Sequence, residues 1–130
     1  MLTSIATEMF IQMRRLYSKS RTSDDLYNNI ISKIRCEIVE NPQYKWDLKE
    51  MSLRSGYSVS RFCELFTKQY GYSPVSFVIS ERINLAKKYL LSGKMTVAAV
   101  AKECGFSSIN YFSRVFKKFT GFSPSEFAKL

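Results

Sequence analysis

Four polar side chains near the carboxyl end of the chain recur at three- and four-residue steps, a spacing that places them on one face of a helix. They are Asn110, Ser113, Arg114 and Lys117. Asparagine and arginine can pair bidentately with adenine and guanine edges, each pair worth ~1–3 kcal/mol of discrimination. A single Arg or Lys is more often a solvated charge, so a base-reading role depends on the fold that presents these residues.

Catalytic and metal chemistry has little to use in this sequence. Histidine is absent, and the three cysteines, Cys36, Cys63 and Cys104, show no C-x-x-C spacing. A thiol with no histidine to activate it is a poor nucleophile, and the usual zinc partner is missing. We expect no enzyme, no metal and no cofactor. An odd number of cysteines also argues against a disulfide framework and favours a reducing cytoplasm.

The charge is strongly positive and unevenly distributed. The net charge is +9, and residues 46–130 carry 13 Lys and Arg against six Asp and Glu, whereas residues 1–45 carry seven against five. A basic excess concentrated in one part of the chain suits a polyanion such as nucleic acid, although solubility alone is the alternative. No apolar run approaches the ~20 residues of a membrane helix, so no membrane contact is expected.

Apolar periodicity predicts helices throughout and an all-α fold. An amphipathic helix is expected over residues 2–17. A second should start near Thr22 or Ser23 and stop before Pro42, with five apolar residues on one side: Tyr27, Ile30, Ile31, Ile34 and Ile38. Serine and threonine caps, with glycine and proline at the boundaries, then delimit helices over about 46–54, 58–70, 75–91, 97–104 and 108–119, and a short one from Pro124.

The second half of the chain repeats the first. Phe62 and Phe112, Gly71 and Gly121, and Pro74 and Pro124 match at an offset of 50 residues, whereas Gly56 and Gly105 match at 49. The second copy therefore carries one extra residue after its glycine turn. We interpret the copies as two helix-turn-helix subdomains, residues 22–74 and 93–130, joined by a linker helix at 75–92, with residues 1–21 as an extra amphipathic helix and link.

Helical geometry separates an inner from an outer face in each copy. Phe112, Val115, Phe116 and Phe119 stand at i, i+3, i+4 and i+7, which predicts one buried stripe; the first copy has Phe62, Leu65 and Phe66. Base stacking by these aromatics is the weaker interpretation. The outer face of the first copy holds Ser60, Cys63, Glu64 and Thr67. Cations and helix starts predict phosphate contacts at eight positions: Ser58, Arg61, Lys68, Arg82, Ser107, Ser108, Lys117 and Lys118.

Residues 97–127, "VAAVAKECGFSSINYFSRVFKKFTGFSPSEF", resemble the DNA-binding domain of the AraC/XylS family of bacterial transcription regulators, and the match extends over about residues 25–130. The resemblance implies two helix-turn-helix subdomains, sequence-specific binding to promoter DNA and recruitment of RNA polymerase for activation. It places the base-reading positions of the two recognition helices at Val59, Ser60, Cys63, Glu64, Ile109, Asn110, Ser113 and Arg114, and identifies Arg82 as the arginine of the linker helix.

Residues 2–17 have no counterpart in the minimal DNA-binding unit of that family. They leave open an alternative in which the chain is an oligomerising or effector-responsive fragment of a larger regulator, dimerising through this segment. A compact standalone regulator is the other form that the family contains. In both cases the expected partner is double-stranded promoter DNA, at the bacterial nucleoid in the cytoplasm.

Overall fold

The computed structural model describes the backbone of residues 23–130 and the side chains from Ile30 onward. The helix predicted over residues 2–17 and the side chain of Tyr27 lie outside these described parts. Within them there is no strand, so the all-α prediction is confirmed. The seven helices are α1 (Ser23–Glu40), α2 (Leu48–Ser55), α3 (Val59–Tyr70), α4 (Pro74–Ser92), α5 (Val97–Glu103), α6 (Ile109–Thr120) and α7 (Pro124–Ala128).

Side-chain caps set most of the helix starts. The hydroxyls of Ser58, Ser73, Thr96, Ser108 and Ser123 each accept a hydrogen bond from the backbone N–H three residues later. Such a bond satisfies one of the amides that the first turn leaves without a partner. Pro74 and Pro124 follow two of these serines at the first helical position, where a proline loses no hydrogen bond. The start sites predicted from Ser58 and Thr96 are therefore confirmed.

The first hydrophobic core lies among α1, α2, α3 and the first turns of α4. Its buried residues are Ile31, Ile34, Ile38, Met51, Phe62, Phe66, Phe77 and Val78. Of the stripe predicted on α1, Ile31, Ile34 and Ile38 are buried as expected, whereas Ile30 is 38% exposed. Ile30 precedes Ile31 by a single step of about 100° around the helix, so the two side chains cannot share one narrow face.

The second hydrophobic core lies among the later turns of α4, α5, α6 and α7. Its buried residues are Ile83, Ala86, Leu90, Val100, Ala101, Cys104, Phe106, Phe112 and Phe116. Phe127 of α7 packs against this core, with its ring centroid 5.3 Å from that of Phe116. Phe77 holds the same position against Phe66 in the first core, at 6.1 Å.

The repeat is longer than the sequence matches alone indicate. Ile31, Ile34 and Ile38 of α1 correspond to Ile83, Ala86 and Leu90 of α4, at an offset of 52 residues. The connection after α1 spans residues 41–47 and the one after α4 spans 93–96, which is three residues shorter. That difference reduces the offset to the 49 residues found in the following helix. Each unit thus consists of three helices and a fourth segment that closes its core, and α4 belongs to both units.

Phe119 departs from its prediction. It was expected in the buried stripe of α6 but is 48% exposed, whereas Phe112 and Phe116 are fully buried. The last turn of α6 extends beyond the second core, and the Phe119 ring borders an open groove of about 390 Å³ that Tyr72 and Phe77 of the first unit also line. The apolar stripe continues along α6 to Phe119, but the second core that it faces ends one turn earlier.

Candidate nucleic-acid interface

Each unit contains two helices joined by a glycine turn. In the first, α2 ends at Ser55, Gly56 adopts a φ of 81° and Ser58 caps α3. In the second, Gly105 has a φ of 90° and Ser108 caps α6. One residue separates Gly56 from its cap and two separate Gly105 from its cap, which confirms the predicted extra residue.

The hydroxyls of the two cap serines are engaged within the chain. Ser58 Oγ accepts from the Arg61 N–H at 3.2 Å, and Ser108 Oγ accepts from the Tyr111 N–H at 3.3 Å. Ser107 is exposed just before the second cap. Any phosphate contact at these positions would use the backbone amides of the first turn, which point out of each helix start.

The outer face of α6 is cationic and open. Asn110, Arg114, Lys117 and Lys118 are exposed, Ser113 is half-buried, and Ile109 is 48% exposed. The Arg114 guanidinium lies 6.0 Å from the centre of the Tyr111 ring, at the limit of a cation–π contact. In the part of the chain with described side chains, no carboxylate forms an ion pair with the three cations of α6. These groups are available to an external anion.

The outer face of α3 is closer to neutral. Val59 is 38% exposed, Ser60 and Glu64 are exposed, and Cys63 is half-buried. Arg61 Nη1 lies 3.3 Å from Glu64 Oε2, and both side chains are largely in solvent. An exposed pair of this kind contributes little to stability. Its effect is that Arg61 presents less net charge than Lys68, which has no ion pair among the described side chains.

Arg82 occupies a different place from the other predicted cations. It projects from α4, its Nε donates to the carbonyl of Pro42 at 2.8 Å, and its Nη2 donates to the carbonyl of Tyr44 at 2.9 Å. Burial lowers the pKa of this guanidinium, with no carboxylate among the causes. The sequence prediction of a phosphate contact at Arg82 is untested, but two of its donors are already used inside the protein.

One of the three cysteines lies in the second core. Cys104 is fully buried, and burial, with Glu103 adding to it, raises the pKa of its thiol to about 12. Cys36 and Cys63 are half-buried and unbonded. Over the described residues, no group of three or more His, Cys, Asp or Glu side chains is arranged to hold a metal ion.

Two open grooves lie beside the units. One, of about 360 Å³, is lined by Glu37, Asn41, Gln43, Tyr44, Trp46, Glu50 and Arg54, and an ion pair between Glu37 and Arg54 lies along it. The other borders Phe119 and contains Glu81, whose pKa is raised by burial. Sequence reasoning identified neither groove, because each depends on how two helices separate rather than on one pattern. None of the helices described is long and apolar enough to cross a membrane.

A family model described as a helix-turn-helix domain matches residues 51–130, more than half of the chain. The arabinose operon regulatory protein of Salmonella typhimurium is 36% identical over 109 residues, which cover 81% of this chain. The chain belongs to the AraC/XylS family. This is a family of DNA-binding transcription regulators rather than enzymes.

Other AraC/XylS relatives show the same partial coverage. The arabinose operon regulatory protein of Escherichia coli K12 is 43% identical over 82 residues, covering 63% of this chain and 28% of that protein. The virulence regulon transcriptional activator VirF of Yersinia enterocolitica is 37% identical over 87 residues, covering 67% and 32%. The Salmonella match covers 39% of its protein. The chain thus spans about a third of the length of these relatives.

Solved structures of AraC/XylS domains confirm the predicted fold. The DNA-binding domain of AdpA, solved with a target DNA, superposes with a TM-score of 0.72 at 23% identity, covering 76% of this chain and 89% of that one. A probable AraC family regulator from Rhodopseudomonas palustris superposes at 0.70 and 28% identity, covering 78% and 95%. The architecture of two units about a central helix is therefore that of the family.

Proposed function

We propose that this chain binds double-stranded DNA sequence-specifically, with α3 and α6 in successive major grooves, and that it acts as a bacterial transcription activator. The observation that carries the proposal is the outer face of α6. Arg114, Lys117 and Lys118 are exposed there with Asn110 and form no ion pair with any described side chain, while the opposite face of the helix is buried in the second core. A short helix presented after a glycine turn is the shape that enters a major groove.

Base recognition is assigned to the outer face of the first two turns of the two recognition helices. In α6 the residues are Ile109, Asn110, Ser113 and Arg114, and in α3 they are Val59, Ser60, Cys63 and Glu64. Arg114 and Asn110 offer bidentate pairing with guanine and adenine, whereas Val59 and Ile109 offer apolar contact to thymine methyl groups. α6 is therefore expected to supply more discrimination than α3.

Phosphate contacts are assigned to the remaining cations and helix starts. Arg61, Lys68, Lys117 and Lys118 are exposed, and the amides near Ser58, Ser107 and Ser108 are positioned to bind anionic oxygens. Their contribution is expected to be independent of sequence and to fall steeply with salt. Arg82 is left out of this set because its Nε and Nη2 bind carbonyls of the chain.

The length of α4 supports simultaneous binding by both units. Its 19 residues span about 28 Å at 1.5 Å per residue. Successive major grooves on one face of DNA lie ~34 Å apart. With its two units held by one helix, a monomer would recognise an asymmetric site without a partner copy.

The wider role follows from the relatives by analogy. Their names include a virulence regulon transcriptional activator and arabinose operon regulators. On that basis we propose contact with RNA polymerase and a location at the nucleoid. A homodimer formed through residues 2–17 remains a prediction. Sedimentation of residues 1–130 beside residues 22–130 tests it, and two identical monomers would exclude that dimer.

Selection from a pool of random-sequence duplexes, followed by footprinting, tests the proposed function. The full chain should enrich one asymmetric site and protect about two helical turns of it. A duplex of shuffled sequence measures non-specific binding, and a single strand of the enriched sequence measures single-strand binding. Absence of enrichment, or tighter binding to the single strand, would reject the proposal.

A further inference from the structure

The Arg82 guanidinium joins parts of the chain that belong to different units. Arg82 is the residue before Ile83, the first buried residue of α4 in the second core. Pro42 and Tyr44, whose carbonyls it binds at 2.8 and 2.9 Å, lie in the connection between α1 and α2 of the first unit. The guanidinium carbon also lies 5.9 Å from the centre of the Phe106 ring in the turn before α6. One side chain thus contacts the first unit and the base of the second recognition helix.

The connection between α1 and α2 also contacts the glycine turn before α6 directly. A Cβ added to Gly105 would meet the carbonyl oxygen of Gln43 at 2.8 Å and Arg82 Nε at 3.2 Å. A real Cβ does not approach a backbone oxygen so closely, so only glycine permits this contact. Gly105 stands four residues before the first residue of α6. The first unit is therefore held within van der Waals range of the turn that aims α6.

Among the residues that the structure describes, the first unit has no equivalent arrangement. Gly56 matches Gly105 in the repeat and has a similar φ of 81°, but a Cβ added there would meet nothing within 4 Å. The position that matches Arg82 at the 52-residue offset is Ile30 of α1, which is exposed. The contact is consequently not part of the repeated unit. It lies where the two units meet.

A single attachment would leave the angle between the units adjustable. The first unit is joined to α4 by the first turns of that helix, where Phe77 and Val78 enter its core. Arg82 adds a second attachment one to two turns farther along, through the residues 41–44 connection. Two separated attachments to one rigid helix fix an orientation that one attachment does not. Both hydrogen bonds use a charged donor, which strengthens them relative to neutral ones.

We infer that Arg82 is a positioning residue that sets the spacing of the two DNA segments the protein can bind at once. The inference rests on the proposed function, because a spacing between two DNA segments matters only if α3 and α6 both bind DNA. Arg82 itself is assigned no DNA contact. When both helices must dock together, a fixed angle between the units allows only one separation of their segments, since avidity is lost where geometry forbids simultaneous engagement.

Duplexes of altered spacing test this role. The selected site is remade with one base pair added or removed between the segments contacted by α3 and α6. Each change rotates one segment by ~35° and shifts it by ~3.4 Å. We expect the wild-type protein to lose about tenfold in affinity on either altered duplex, because only one recognition helix can then dock fully. The readout is the spacing ratio, which is the affinity for the selected site divided by the affinity for an altered duplex. A variant that merely lowers stability reduces both affinities by the same factor and leaves this ratio unchanged.

Three variants on α4 separate positioning from phosphate binding. Arg82→Gln should reduce the spacing ratio to about threefold or less. Arg82→Lys keeps the charge but cannot span two carbonyls with one planar group, so it should behave like Arg82→Gln. Lys88→Gln removes an exposed charge from the same helix and should keep the wild-type ratio. If Arg82→Lys instead restores wild-type affinity and ratio, Arg82 acts as a point charge and the inference is wrong.

A glycine pair provides a second route that leaves Arg82 in place. Gly105→Ala combines backbone strain with the collision at the Gln43 carbonyl, whereas Gly56→Ala carries the strain alone. We expect only Gly105→Ala to reduce the spacing ratio, at a temperature where circular dichroism shows both variants folded. Equal ratios in both variants would overturn the inference. Wild-type protein that shows no specific binding at all would instead reject the proposed function.

Discussion

Phe116 and Phe119 stand three residues apart on the same side of α6, yet Phe116 is fully buried and Phe119 is 48% exposed. The Phe116 ring lies 5.6 Å from that of Phe112 and 5.3 Å from that of Phe127, both by centroid. Phe119 borders the groove between the units instead. The second core therefore ends less than one helical turn beyond Phe116.

This difference predicts unequal losses of stability. Phe116→Ala should lower the free energy of unfolding by about 3–5 kcal/mol, because it removes a fully buried ring and leaves a cavity. Phe119→Ala should cost less than about 1 kcal/mol, as most surface substitutions do. Denaturant titration of both variants measures the two values. Similar losses would mean that the second core continues beneath Phe119.

Arg114→Ala should reduce binding to the selected site much more than binding to a shuffled duplex. A bidentate contact to guanine is worth about 1–3 kcal/mol of discrimination, which corresponds to roughly 5- to 150-fold in affinity. Titration of both duplexes at one salt concentration gives the ratio. Equal losses on the two would show that Arg114 contacts phosphate rather than a base.

Lys118→Ala should weaken binding to both duplexes by a similar factor. Removing one phosphate contact should also make the slope of log affinity against log salt shallower by about one unit. Titrations at four salt concentrations measure this slope. Lys129→Ala serves as the matched control, because Lys129 is an exposed lysine that follows α7 and lies on neither α3 nor α6. A slope unchanged in Lys118→Ala would remove Lys118 from the interface.

Glu64→Gln should increase affinity for the shuffled duplex. It removes a negative charge from the outer face of α3 and releases Arg61 from the ion pair at 3.3 Å. The salt slope should then become steeper, because Arg61 gains freedom to bind phosphate. Titration in parallel with the Arg61→Ala, Glu64→Gln double variant identifies the source. A gain that persists without Arg61 would come from the removed carboxylate itself.

The buried thiol of Cys104 predicts a loss of stability in alkali. Its folded pKa is about 12, whereas an unfolded thiol titrates near 9.0. Above pH 9 the unfolded chain loses this proton while the folded chain keeps it, so stability falls as pH rises, by about 1.4 kcal/mol per pH unit. Below pH 9 both the folded and the unfolded chain hold this proton, so the thiol does not make stability depend on pH.

Unfolding of wild-type and Cys104→Ala proteins at pH 8 and pH 10 measures that contribution as the difference between their pH dependences. In the folded protein a thiol reagent at pH 8 should react with Cys36 and Cys63 only, and with Cys104 after unfolding. Rapid labelling of Cys104 in the native state would contradict its burial.

Much of the fold could be predicted because the boundaries are encoded locally. Hydroxyl caps at Ser58 and Thr96, and glycines after α3 and α6, mark helix ends within a few residues of where the structure has them. The inner and outer faces of α6 followed from a 3.6-residue period. These features depend on neighbouring residues alone.

The features that sequence reasoning missed depend on contacts between distant segments. A helical period shows on which side Phe119 lies, but not where the opposing core ends. Arg82 reads as one more cation on a helix, and only the fold brings Pro42 and Tyr44 to it across about 40 positions of sequence. The sequence shows only a cation on the linker helix, and a phosphate contact explains that equally well.

The helix α4 supplies Phe77 and Val78 to one core and Ile83, Ala86 and Leu90 to the other. Tandem domains on a loose linker can be exchanged between proteins, since each brings its own complete interior. Recombination within α4 would have to preserve two interiors at once. If α3 and α6 bind DNA as proposed, we expect a change of sequence preference to come from substitution on their outer faces, with both units kept together.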